Sequence, residues 1–345
     1  MSIATPEKTA LKLGFVPLLD CAPLVIAREK GFFATEGLNV VLSRESNWAN
    51  IRDKVSFGLL DGAQMLSPMP LAATLGLGSR PTPMVTGLAL SMNGNAVTLS
   101  AELYRALSPQ LRDRPNPAEV GNALKQWIST LRTKPVFATV YPYSCQHYQL
   151  RYWLTASGIN PDTDVTLIAV PPTQMISTMH DRMIDGYCAG EPWNSLAQQC
   201  GEGTVALTGY QIWPDSIEKV FGVTQHWADA HPNTHEALIR ALVNACEWLS
   251  HNDNHAEALE LLRLPPYLDQ SAIPLGQSDT VLPIMQSFFG PGVNCPSLSH
   301  AHLMLEQMER WGQWHGGDRD QIARQVYRHD IYSKALGLER FSQHA

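Results

Sequence analysis

No stretch of about 18 uninterrupted apolar residues occurs in the 345-residue chain, which argues against a membrane-spanning helix. The start, "MSIATPEKTALKLGF", has no basic opening followed by an apolar core, so it does not read as a secretory signal. The six cysteines (Cys21, Cys145, Cys188, Cys200, Cys246 and Cys295) form no C-x-x-C pair and no regular framework. Reduced thiols fit best, and with Met1 as the native start the expected location is cytoplasmic. Catalytic signatures are missing too. There is no G-x-x-x-x-G-K-[ST] phosphate loop, no G-x-S-x-G elbow and no H-E-x-x-H. With 25 basic and 32 acidic residues the net charge is -7, so no basic field of the kind used for direct nucleic-acid binding is present. A small anion is still admissible, because its site needs only local donors.

The chain does carry one β-α-β-α-β unit, twice. In the first, "LKLGFVP" reads as a strand, "LVIAREKGFF" as a helix and "GLNVVL" as a strand. Residues 48–59 then read as a helix and "DGAQML" as a third strand. In the second, "KPVFATV", "YQLRYWLTASGI", "DTDVTLIAV", "PPTQMISTMHDRMI" and "DGYCAGEPW" repeat that order. Asp-Gly precedes the third strand of both, at Asp61-Gly62 and Asp185-Gly186. Crossovers of this kind make parallel sheets, so the expected class is α/β, with two lobes and a cleft lined by strand-to-helix turns. Lobe I is expected over residues 1–92 and 205–345 and lobe II over 93–204. "TVALTGYQIW" and "KVFGVTQHW" read as strands returning to lobe I, followed by a helical tail from His231.

Several turns at the expected cleft hold polar or aromatic residues. Trp48 stands just after a strand end in the first turn of a helix, with Ser46 or Asn47 as N-cap. It either contacts a ligand or tops the apolar face continued by Ile51 and Val55. His147, in "YPYSCQHYQLRYWL", lies near a helix start, where free N–H groups favour an anion and an anion favours protonated imidazole. "AGEPWNS" places Glu191 to hold a neighbouring His or Lys and Trp193 to cap a wall, or else forms a surface turn. Lys219, in "SIEKVFGV", can neutralise an anion or lie exposed, and Asn95, in "MNGNAV", can donate two N–H bonds beside a tight turn. His231 and His235, four apart, can hold a metal but fit solvated helix positions better.

"PLLDCAPLVIAREKGFFATEGLNV", "SNWANIRDKVSFGLLDGAQML", "HYQLRYWLTASGINPDTDV", "VPPTQMISTMHDRMIDGYCAGEPWN" and "PDSIEKVFGV" together resemble the nitrate-binding NrtA and bicarbonate-binding CmpA proteins of ABC importers. The resemblance runs from about residue 11 to 248, and more loosely to the end. It implies a type II periplasmic-binding-protein fold with an anion between the lobes. It also implies ligand contacts at Trp48, His147 and Lys219, and at Asn95 in place of a family glutamine. Ser144, Glu191 and Trp193 fall at the cleft wall. The bicarbonate branch has an acidic residue and calcium where Lys219 stands, so lysine implies a metal-free monoanion and no cofactor. With no export signal seen, the branch implied is that of the NasS-type nitrate/nitrite sensors, whose partner is a NasT-type ANTAR antiterminator. An importer's binding component is the alternative. A thiamine-pyrimidine-synthase-like enzyme is a weaker one, since "SCQH" offers one cysteine and no cysteine-rich run.

Overall fold

Alternation along "ALKLGF" buries Leu11, Leu13 and Phe15 and leaves Ala10 and Lys12 outside, the signature of a strand covered mainly on one face. This is β1 (Ala10–Phe15) in a computed structural model that describes residues 4–268 and 286–338. Met1 and the expected lobe I limits at residues 1 and 345 lie outside the described residues. β1 pairs in parallel with β2 (Asn39–Arg44) and β3 (Gly62–Leu66). The second unit repeats this with β6 (Val136–Thr139) between β7 (Thr166–Ala169) and β8 (Gly186–Gly190).

Each unit is completed by strands of the crossing segments. The first sheet runs β2-β1-β3-β10-β4, with β4 at Met84–Met92 and β10 at Ile217–Thr224. The second runs β7-β6-β8-β5-β9, with β5 at Asn95–Ser100 and β9 at Gly203–Thr208. In each sheet an antiparallel strand lies beside the third strand of the unit, β10 on β3 and β5 on β8. The two-lobed α/β expectation therefore holds. One strand differs from it: β9 stays in the second sheet, "GYQI" is a short helix, and the return to the first sheet is made by β10 alone.

The repeated Asp-Gly has a structural reason. Asp61 accepts from the backbone N–H of Lys12 at 2.8 Å, and Asp185 accepts from Val136 N–H at 2.8 Å. Each Asp thus ties the third strand of its unit to the start of the first. The glycines leave room for neighbours: a Cβ at Gly62 would lie 2.8 Å from Phe221 Cζ, and one at Gly186 2.9 Å from Phe137 Cε1.

The two passages between lobes lie side by side. Asn93 N–H donates to Ser216 O at 2.8 Å, and Ser216 N–H to Asn93 Oδ1 at 3.2 Å. Asn93, Gly94 and Asp215 take positive φ there (60°, 90° and 52°), which lets both strands turn sharply. The helical tail is part of the core. The helix Pro232–Ser250 buries Leu238, Ile239 and Leu242, and Tyr327 bridges to Thr86 at the edge of β4.

Candidate ligand-binding site between the lobes

Asn47 caps the helix Trp48–Ser56 by accepting from Asn50 N–H at 2.9 Å, which fixes Trp48 in the first turn, as the sequence indicates. The indole is fully buried, and its Nε1–H has no partner among the described residues. Lys219 Nζ lies 5.3 Å from its ring centroid, within cation–π range. On Trp48, then, the ring packs as the apolar reading has it, and the N–H is left without a hydrogen bond among the described residues.

Lys219 is 0% exposed and bonded to two carboxylates, Asp20 at 2.7 Å and Glu218 at 2.6 Å. It is not the exposed lysine that its sequence allowed. Asn95 Nδ2 donates to Glu218 Oε2 at 2.5 Å and to Gln149 Oε1 at 3.1 Å. Gln146 Nε2 donates to Glu218 Oε1 at 2.6 Å and to Asn95 Oδ1 at 2.8 Å. Gln64 donates to Asp20 and accepts from Val16 N–H at 3.1 Å. Donors from both lobes thus meet in one buried cluster. Burial raises the Asp20 pKa despite the opposing pull of Lys219. For Lys219, burial pulls downward, but Asp20 and Glu218 override it and hold the ammonium charged.

Trp48, Asn95 and Lys219 are therefore brought together, and His147 is set apart. Its backbone N–H bonds Ser144 Oγ at 3.0 Å, and its Nδ1 lies 3.3 Å from Thr139 Oγ1. Burial, reinforced by Arg151, pushes its pKa down to about 3, which favours the neutral ring. Ser144 is the N-cap of the helix Cys145–Ala156. Trp193 Nε1 donates to Pro17 O at 3.1 Å and Glu191 O accepts from Leu19 N–H at 2.8 Å, so this turn clasps the first lobe. The Glu191 side chain caps a helix through Ser195 N–H at 3.2 Å, rather than holding a His or Lys. Burial raises its pKa to about 7. His231 and His235 pack on Trp227, with ring centroids 5.0 and 5.9 Å away. Among the described residues no group of three or more His, Cys, Asp or Glu is placed to hold a metal.

Five participants were not singled out by the sequence: Asp20, Gln64, Gln146, Gln149 and Glu218. Asp20 had a signal, since "PLLDCAP" is the first-lobe counterpart of the turn holding His147. Gln146 differs from His147 by one helical step, about 100° of rotation. Glu218 adjoins Lys219, and strand alternation puts neighbours on opposite faces. A bulge overturns that rule: Ile217 pairs Met92 and Lys219 pairs Ser91, leaving Glu218 as the extra residue.

Two α/β lobes joined by a double crossing, with polar side chains of both lobes buried between them, define the two-lobed periplasmic-binding-protein fold. Residues 4–263 match the NMT1-like family model. The chain belongs to this family and, within it, to the NrtA/CmpA-like group. It is 33% identical over 353 residues to the nitrate/nitrite binding protein NrtA of Nostoc, covering 95% of this chain and 77% of that one. The crystal structure of the periplasmic nitrate-binding protein NrtA of Synechocystis superposes with a TM-score of 0.88 at 30% identity, over 97% of this chain and 90% of that one. The nitrate import ATP-binding protein NrtC of Synechocystis is 41% identical over 322 residues, which is 89% of this chain. The chain spans about half of that relative's length, 46%.

Proposed function

We propose that the protein binds nitrate or nitrite between its lobes and acts as a NasS-type sensor, passing the ligand state to a NasT-type antiterminator in the cytoplasm. The observation carrying the ligand reading is the convergence of Lys219, Asn95, Gln146 and the unspent Trp48 Nε1–H, all buried, at the lobe junction. Nitrate is planar, singly charged and unable to donate, and N–H groups suit it. The NrtA relatives, named for nitrate and nitrite, support the same class of ligand. The free cysteines, four of them buried, favour a reducing compartment and hence the sensor. Likeness to an import ATP-binding protein favours the second reading, a component of a nitrate importer. In either role the protein is a binding protein rather than an enzyme. Cys145 is enclosed by Ser67 Oγ and Ile217 O, each at 3.1 Å, and burial keeps its thiol protonated, unlike a reactive cysteine.

Titration calorimetry with nitrate, nitrite and bicarbonate, without added calcium, tests the ligand. Micromolar binding of nitrate or nitrite, with none of bicarbonate, is the expected outcome. Binding of bicarbonate alone would overturn the assignment. Ligand-dependent release of a co-purified RNA-binding partner separates sensor from importer.

A further inference from the structure

The donors that suit a planar anion are already bonded to one. Lys219 Nζ, Gln146 Nε2 and Asn95 Nδ2 all point at the Glu218 carboxylate, at 2.6, 2.6 and 2.5 Å. These donors come from three separate segments and from both lobes, and Glu218 is only 1% exposed. The backbone is shaped to bring the carboxylate there. Without the bulge at Glu218, the pleat would send it to the face of β10 opposite Lys219. A carboxylate and a planar oxyanion such as nitrate are both flat monoanions with oxygens in one plane. They satisfy the same N–H donors in the same geometry. They also repel each other in a buried site where Asp20 and Glu218 already outnumber Lys219. The donor set cannot serve both.

We propose that Glu218 is a built-in competitor: its carboxylate occupies the anion-binding donors, and a planar monoanion enters by displacing it. Two consequences follow from this placement. The lobes can close over their own carboxylate, and the affinity for an outside anion is set by how readily Glu218 leaves. For a sensor, that fixes the concentration at which it responds.

The proposal rests on the anion-binding reading, and the test separates the two. Nitrate is titrated into the wild-type chain and Glu218→Gln, which keeps the shape and removes the charge. In parallel, thermal melts of the wild-type chain and Glu218→Ala are recorded with increasing sodium formate, with sodium chloride as the salt control. Nitrate should bind Glu218→Gln more tightly by about tenfold or more, the scale of one charge-assisted contact. Formate should stabilise Glu218→Ala saturably and at lower concentration than it does the wild-type chain, since it replaces the deleted carboxylate in the one and must displace it in the other. Wild-type binding that is unchanged or weakened in Glu218→Gln would overturn the proposal, making Glu218 a residue that positions the donors. If neither chain binds nitrate, the ligand reading has failed and formate decides: saturable stabilisation of Glu218→Ala upholds the competitor, and none overturns it. If Glu218→Ala does not fold, the formate melts are run on Glu218→Gln, with the same two outcomes.

Discussion

At the scale of single residues the cleft is governed by desolvation. Lys219 remains charged because two carboxylates touch it, and removing the lysine would leave both of them buried without a cation, at about 3–5 kcal/mol. Glu191 has no cationic partner among the described residues, and burial raises its pKa from the usual 4.5 to about 7. Between those values the folded protein keeps a proton that the unfolded chain has lost. The stabilisation from this group is therefore complete below pH 4.5 and is lost as pH rises through about 7. Glu191→Gln stays neutral throughout. It should melt above the wild-type chain at about pH 8, with the gap closing towards about pH 4.5. A gap independent of pH, read by thermal melts across that range, would count against a raised carboxyl pKa. His147 runs the other way. Its lowered pKa makes its neutral form stabilising above about pH 6.5, a contribution lost on acidification.

At the scale of elements, short signals in the chain place the site. The Asn47 cap sets where the helix Trp48–Ser56 begins, and thereby sets Trp48 beside Lys219. Asn47→Ala should cost about 1 kcal/mol in urea unfolding, whereas Asn47→Asp, which keeps the acceptor, should cost much less. Equal losses would mean that the cap is replaced by other contacts. The bulge in β10 acts similarly, by re-aiming one side chain. The cap was readable as a residue type followed by an apolar period. The bulge was not, because it arises from how β10 pairs with β4, a strand more than a hundred residues earlier in the chain.

At the scale of the molecule, the tail joins the lobes. Arg151, on lobe II, stacks on Trp311 at 4.4 Å, and Tyr148 Oη donates to Gln313 Oε1 at 2.7 Å. The same tail rests on lobe I, where Tyr327 Oη donates to Ser67 O at 2.7 Å. A partner that prefers one arrangement of the lobes is thereby coupled to whatever closes them. Trp311→Ala should open the lobes. Small-angle scattering should show a larger radius of gyration, and anion affinity should fall by up to about tenfold, the scale of one buried cation–π contact. An unchanged radius and affinity would show that the cleft contacts alone hold the lobes together.

The sequence by itself determined the α/β class, the repeated unit with its paired Asp-Gly, the Trp48 helix start and the family, because each is written in local period, capping or motif. It also marked Trp48, Asn95 and Lys219 as residues of interest, and the structure brings these three together. Only the tertiary structure decided that Gln146 rather than His147 enters the cluster, that Lys219 is paired twice over, and that β9 belongs to the second lobe. Those outcomes depend on a helix's rotation, a strand's register and the dielectric of a closed interface. None of these is a property of neighbouring residues, and each is fixed only when distant segments pack.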